Sequence, residues 1–307
     1  MKAWKRFRRR VRYTFLYVVF RILIFLARFI PRNAWLSLFG FLGRLSYHLA
    51  AKSRQTAVAN LTLAYGKEMD ARSIRGLAKS VFTMIGKNGA DVIWLHRKIS
   101  WEDFDNVRQV IGEEYLDQAY RKGKGVIFLT AHLGAFELCA TEMALRGYKP
   151  LIIGTPMKDE RLTKLLWEQR SKLGASAIER GKETVRLIKT LKAGGTVAIL
   201  IDQDTRVKSV FVDFFGKPCA TPIGAAVLAL KTGAAVVPVF LHLSKNDKQI
   251  VTCYPEVELI QTGDEAQDIR ANTQKFTSII ESEIREHPEQ WLWIHERWKT
   301  QPGQELT

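Results

Sequence analysis

The residue types most able to do chemistry gather in the stretch Gly125 to Glu137. Val126 to Leu129 is a continuous apolar run of strand formers, and Leu133 to Leu145 reads as a helix. His132 falls at the join, where open α/β sheets place their ligands. Glu137 follows five positions later. On one continuous helix that spacing is about 500° of rotation and would separate the two side chains. With His132 in the turn and Glu137 in the first helical turn, the chain can fold back and bring them together. A carboxylate on one imidazole nitrogen fixes the tautomer and leaves the other nitrogen to take a proton. Spacing alone is equally met by an isolated strand-end histidine and a glutamate favoured by the helix dipole.

Polar groups mark two further strand ends. The apolar run Thr196 to Ile201 ends in Asp202, Gln203 and Asp204, on the same surface as His132. The short strand Ser176 to Ile178 leads to Glu179, Arg180, Gly181 and Lys182. A guanidinium at Arg180 is suited to a phosphate or a developing oxyanion, and Asp202 and Asp204 to shaping the pocket or holding Arg180. Each group is also compatible with an ordinary solvated turn.

Several chemistries are missing from the sequence. It has no Gly-x-Ser-x-Gly elbow, no Gly-x-Gly-x-x-Gly and no Walker loop. Cys139, Cys219 and Cys253 are too scattered for a disulfide framework or a zinc site, and no His/Cys cluster has metal spacing. No metal and no cofactor are therefore expected. A base without its own nucleophile should activate a hydroxyl or amine of the substrate, and acyl transfer from a thioester to a lipid hydroxyl fits that demand.

The elements that must position these groups can be read along the chain. The 307 residues carry a net charge of +16, which calls for an anionic partner. Residues 1–12 hold seven basic side chains and no acid; an apolar, aromatic stretch interrupted by Arg21 and Arg28 then runs to Pro31. Residues 1–31 are expected to be a membrane anchor that either spans or lies in the interface, since a central arginine costs about 2.5–3.5 kcal/mol on insertion scales. Residues 32–112 read as a helical, membrane-associated segment, with Gly40 and Gly43 permitting close helix packing and Asp70 as a helix cap. Residues 113–307 alternate strands and helices. The fold class is thus α/β, a mainly parallel central sheet flanked by helices, continuous with 32–112. An antiparallel pair is expected at Ala235–Leu243 and Gln249–Val257, and a helix over 264–286. The aromatic and charged segment 289–299 should pack on the sheet through Trp291, Trp293 and Trp298. Nothing supports base readout of nucleic acid, and no nucleic-acid partner is expected.

Taken together these residues resemble the late acyltransferases of lipid A biosynthesis (lauroyl and myristoyl transferases), within the glycerolipid-acyltransferase-like superfamily. The resemblance is carried by the basic N-terminus, Arg54, Asn60-Leu61, Thr130 to Glu137, Arg180, Gly194 to Asp204, Phe214-Phe215-Gly216, Thr221, Gly224, Gly233 to Pro238 and Glu289 to Lys299. It implies a His-x-x-x-x-acid catalytic pair at His132 and Glu137; Arg180, Asp202 and Asp204 are read from their strand-end positions as substrate-binding residues. It further implies acyl carrier protein as donor, an anionic glycolipid precursor of lipid A as acceptor, contact with membrane lipids, and a place on the cytoplasmic face of the bacterial inner membrane. Related members acylate phosphatidylinositol mannosides. The rival readings are another glycolipid or lysophospholipid acceptor, a thioesterase, and a basic membrane-surface binder without catalysis.

Overall fold

The computed structural model describes residues 2–96, 102, 105–171, 174–179 and 183–304. Arg180, and the connection from Arg97 to Trp101, lie outside the described residues.

Helices come first. α1 (Lys2–Leu26), α2 (Arg32–Leu49), α3 (Ala51–Tyr65) and α4 (Ala71–His96) precede the first strand. Asp70 caps α4 as expected, accepting from the Ser73 backbone N–H at 2.7 Å. α2 and α4 pack antiparallel at close range. Trp35 Nε1 donates to Ala90 O at 2.9 Å, and the Arg32 guanidinium grips Asp91 through Nε at 2.8 Å. Farther along, a Cβ on Gly43 would stand 2.3 Å from Phe82 O, and one on Gly86 would stand 2.2 Å from Phe39 O. Two glycines facing each other thus set the helix separation.

β1 (Arg108–Ile111), α5 (Glu113–Arg121), β2 (Val126–Thr130), α6 (Glu137–Leu145), β3 (Leu151–Gly154), α7 (Glu160–Ser171), β4 (Ser176–Glu179), α8 (Thr184–Lys192) and β5 (Thr196–Leu200) follow in alternation. A hairpin, β6 (Ser209–Phe214) and β7 (Lys217–Pro222), then precedes α9 (Gly224–Thr232), β8 (Ala235–Leu243), β9 (Gln249–Cys253) and α10 (Glu265–Glu286). Among the described residues seven strands form one sheet in the order β1-β9-β8-β2-β5-β3-β4. Only the β8–β9 pairing is antiparallel. The α/β class and the mainly parallel sheet are as the sequence implies, and so is the β8–β9 pair. Pro238, which has no N–H, sits where β8 stops pairing with β2 and begins pairing with β9.

All five residues of β2 are buried, as befits a central strand covered on both faces. One hydrophobic core joins the two halves of the chain: Tyr47, Leu61 and Phe82 from the helices pack with Ile127, Ile199, Phe240 and Trp293. No helix among the described residues is long and apolar enough to cross a membrane.

Two expectations need correction. The helix after His132 starts at Glu137, not Leu133. Gly134 (φ 58°) turns the chain there, and Leu133 bridges to Trp291 instead of joining the helix. The hairpin at 209–222 is absent from the sequence reading altogether. Its loop is Phe215 (φ 55°) and Gly216 (φ 67°), both left-handed, which is the twist a two-residue hairpin prefers.

Candidate active site

His132 lies just past the carboxyl end of β2, and Asp202 just past the end of β5, its hydrogen-bonded neighbour. Register does the rest: Thr130 pairs with Leu200, so His132 and Asp202 leave the sheet side by side. His132 Nδ1 stands 2.9 Å from Asp202 Oδ1. The His132 backbone N–H donates to Asp202 Oδ2 at 2.8 Å, and Trp291 Nε1 donates to the same oxygen at 2.8 Å.

Asp202 is buried, and burial by itself would raise its pKa; His132 and the hydrogen bonds from His132 and Trp291 outweigh it and hold the carboxyl down at about 2. It is therefore an anion that can only accept. Nδ1 must carry the hydrogen, and Nε2 presents a lone pair. The imidazole is part-exposed at 18% and rests edge-on against the Phe136 ring, centroids 4.8 Å apart.

The carboxylate on His132 Nδ1 is thus Asp202 and not Glu137. Glu137 faces α7, where Arg170 holds it in a fork: Nε to Oε2 at 3.0 Å and Nη2 to Oε1 at 2.7 Å. The physical reason is the break at Gly134. It sets α6 off as a separate element, and its first side chain meets α7. Asp204 does not converge on the imidazole either. Its carboxylate accepts from Thr300 N and Oγ1, each at 2.9 Å, and its carbonyl accepts from Lys299 Nζ at 2.9 Å. It ties down the end of the chain.

That C-terminal segment is the part of the site that sequence reasoning undervalued. Past α10, residues 290–292 lie alongside 132–134 as if they were one more strand. Leu292 N donates to His132 O at 3.1 Å, and Gly134 N donates to Gln290 O at 2.9 Å. Asn60 of α3 donates through Nδ2 to Trp293 O at 2.8 Å and His295 O at 2.7 Å. Phe215 at the hairpin tip packs on Trp293, centroids 5.6 Å apart. Trp291 and Trp293 are fully buried: Trp291 is the floor under Asp202, and Trp293 packs between Tyr65 and Phe215. The alternation of aromatic and charged residues in 289–299 was the available signal; Arg170 offered none, being one of two arginines on a helix that also carries lysine and glutamate.

The geometry makes a base and little else: an imidazole with a fixed tautomer, an anion behind it and a fixed tryptophan beneath. Residues 2–300 match the model of the bacterial lipid A biosynthesis acyltransferases. The chain belongs to that family. It is 30% identical over 275 residues to the lipid A biosynthesis lauroyltransferase of Escherichia coli (strain K12), covering 85% of this chain and 84% of that protein. It is 28% identical over 243 residues to the lipid A biosynthesis palmitoleoyltransferase of the same strain, covering 77% and 73%. With a phosphatidylinositol mannoside acyltransferase of Mycobacterium tuberculosis (strain CDC 1551 / Oshkosh) it shares 26% over 208 residues, 66% of this chain and 63% of that protein. This member of the family is an acyltransferase, and its relatives' acceptors are glycolipids.

Proposed function

We propose that this acyltransferase moves a fatty acyl chain from acyl carrier protein to a hydroxyl of a lipid A precursor at an anionic membrane surface. The observation that carries the reading is the 2.9 Å contact between His132 Nδ1 and Asp202, which leaves Nε2 as the base. Nε2 takes the proton of the acceptor hydroxyl, and the alkoxide attacks the thioester carbonyl. The C–S bond breaks as the ester forms, and the departing thiolate takes the proton back from the imidazolium. Such base catalysis contributes on the order of 10²–10⁴ in rate. Backbone N–H groups at the start of α6, or Arg180, would steady the charge on the thioester oxygen. Glu137 and Arg170, a fork at the start of that helix, act as positioning residues in this scheme.

Three features support the wider setting. The surface is strongly cationic, which suits acyl carrier protein, an acidic partner, and a phosphorylated acceptor. On α1, Phe7, Val11, Phe15, Val18, Ile22 and Phe25 recur every three or four residues and all are exposed, an unpartnered apolar stripe. Such a helix lies in the lipid interface with its arginines at the headgroups. Finally, a cleft between α1, α4 and α7 is walled by Phe20, Ile24, Val92, Met157, Leu162 and Leu166, an apolar lining of the chemistry an acyl chain favours.

The phosphatidylinositol mannoside acyltransferases among the relatives favour one alternative, a different glycolipid acceptor. An assay in mixed micelles separates the two. Acyl carrier protein loaded with a labelled acyl chain is offered to the purified protein with a lipid A precursor, a phosphatidylinositol mannoside and a lysophospholipid in competition. Label should enter the lipid A precursor, and H132A should stop transfer. Preferential labelling of another lipid would move the acceptor assignment. Undiminished transfer by H132A would remove the base mechanism, and acyl release without acceptor at the rate of transfer would make the protein a thioesterase.

A further inference from the structure

Away from the His132–Asp202 pair, a second group of chemistry-bearing residues is assembled by the fold. We propose that His242, Glu283 and His287 form a binding site for a divalent transition-metal ion of the zinc class. His242 is near the end of β8; Glu283 lies in the last turn of α10, and His287, four residues on, is the residue that caps that helix. One ligand atom from each lies within 4.8 Å of the others, and no other such trio occurs among the described residues. His242 Nδ1 and His287 Nε2 each stand 4.0 Å from the same oxygen, Glu283 Oε1. In a tetrahedral site with bonds of about 2.0–2.2 Å, ligand atoms are about 3.3 Å apart. The two imidazoles stack, ring centroids 3.6 Å apart and planes 24° from parallel, so holding one ion turns the His287 ring out of that stack until both lone pairs converge beside Glu283 Oε1.

Two independent details suit a bound cation. His242 Nδ1 is buried and has no hydrogen-bond partner, a costly arrangement that a metal bond would relieve. Glu283 is a buried carboxylate whose outer oxygen Oε2 is already taken by the Tyr254 hydroxyl at 2.6 Å, which aims Oε1 at the two imidazoles. A carboxylate anchored through its second oxygen is the support that metal ligands characteristically have. Two imidazoles and one carboxylate suit zinc better than calcium or magnesium, which favour all-oxygen shells. His287, at 27% side-chain exposure, gives the ion a way in and leaves a fourth position for water.

The site's place in the fold suggests its use. Just beyond His287, Gln290 donates through Nε2 to Leu243 O at 2.9 Å, and Trp291 then reaches Asp202. An ion held by His242, Glu283 and His287 would clip α10 to β8 immediately before the segment that floors the active site. Its role is structural, since it contacts none of the reacting groups.

The test uses the full chain in detergent, stripped of metal with a chelator, then titrated with zinc or cobalt(II) and followed by calorimetry, cobalt visible absorption and melting temperature. The wild type should bind one equivalent, show tetrahedral cobalt bands and melt higher. H242Q and H287Q should each lose at least ten-fold in affinity and the melting shift, while H132N keeps both. If H242Q fails to fold, H287Q on the half-exposed residue decides alone. Absence of a stoichiometric equivalent in the wild type, or the same binding in H287Q, overturns the site. These readouts need no acyl transfer, so the outcome is independent of the acceptor assignment.

Discussion

At the scale of single residues, the site turns on which carboxylate holds the imidazole. Asp202 offers one oxygen to Nδ1 and the other to two N–H donors. Asn at this position keeps the shape but supplies only one acceptor, and its amide then faces a donor; the way out is the other tautomer, with hydrogen on Nε2. D202N should therefore lose on the order of 10³ or more in turnover, with KM little changed and the fold intact by circular dichroism. The pH dependence follows from the depressed carboxyl. Because the folded pKa of about 2 is below the ordinary 3.8, Asp202 adds stability that is complete above pH 4 and is lost as pH falls toward 2. Wild-type melting temperature should fall more steeply than that of D202N across that window; parallel curves would deny the buried anion. Glu137 and Arg170 belong together in the same sense. E137A and R170A should each slow transfer, and the double variant should be no slower than the worse single, because each alone strands its partner. Additive losses would mean separate roles. Of this constellation, His132 was legible as a polar residue at a strand end. The link to Asp202 was not, since it depends on β2 and β5 being neighbours across some 70 residues of chain.

At the scale of elements, two close approaches control where the site sits. Gly134 turns the chain with φ 58°, and a Cβ there would stand 2.1 Å from Leu241 O. Backbone cannot yield to that contact, so G134A should cost about 2–4 kcal/mol and misplace His132, reducing activity even in the fraction that remains folded. Between α2 and α4, G43A and G86A should each cost about 1–3 kcal/mol in chemical denaturation by forcing the helices apart. Loss of activity in those two should track loss of folded protein, unlike G134A. Legibility at this scale followed length and periodicity. β2, β5 and most of β8 are apolar runs, and α10 announces itself with Asp264, whose side chain accepts from Ala266 N and Gln267 N. The β6–β7 hairpin was hidden. Its strands are only partly buried and its turn uses Phe215 where a left-handed position normally shows Gly or Asn. The reason lies outside the hairpin: the Phe215 ring is held by Tyr65, Trp293 and the Arg285 guanidinium, and its N–H is taken by Glu281 Oε2 at 2.6 Å. Tertiary contacts offset a local strain that no short stretch of sequence displays.

For the whole molecule, the proposed function asks how a cationic body would meet lipid. Residues Arg8, Arg9, Arg10 and Arg12 are exposed on the same helix as the apolar stripe. Farther along, Phe29 follows α1, and Phe41, Leu45 and Leu49 of α2 are exposed as well, so a second helix also presents apolar side chains. The sequence suggested an anchor but left spanning and interfacial seating open. Under the proposed function, charges within the stretch and an exposed rather than enclosed stripe would suit the interface, with apolar burial and headgroup attraction acting together. Their shares can be separated. Replacing Arg6, Arg8, Arg9 and Arg10 with Gln removes attraction of about 1 kcal/mol each, on the order of 10³ in partitioning for the four together at low salt. Binding of the wild type to vesicles rich in anionic lipid should weaken as salt shortens the Debye length. The quadruple variant should start weaker, respond little to salt, and match the wild type on vesicles of neutral lipid. If the variant and the wild type bind anionic vesicles alike at every salt concentration, the apolar stripe alone seats the protein, and the positive charge must serve the donor or the acceptor instead.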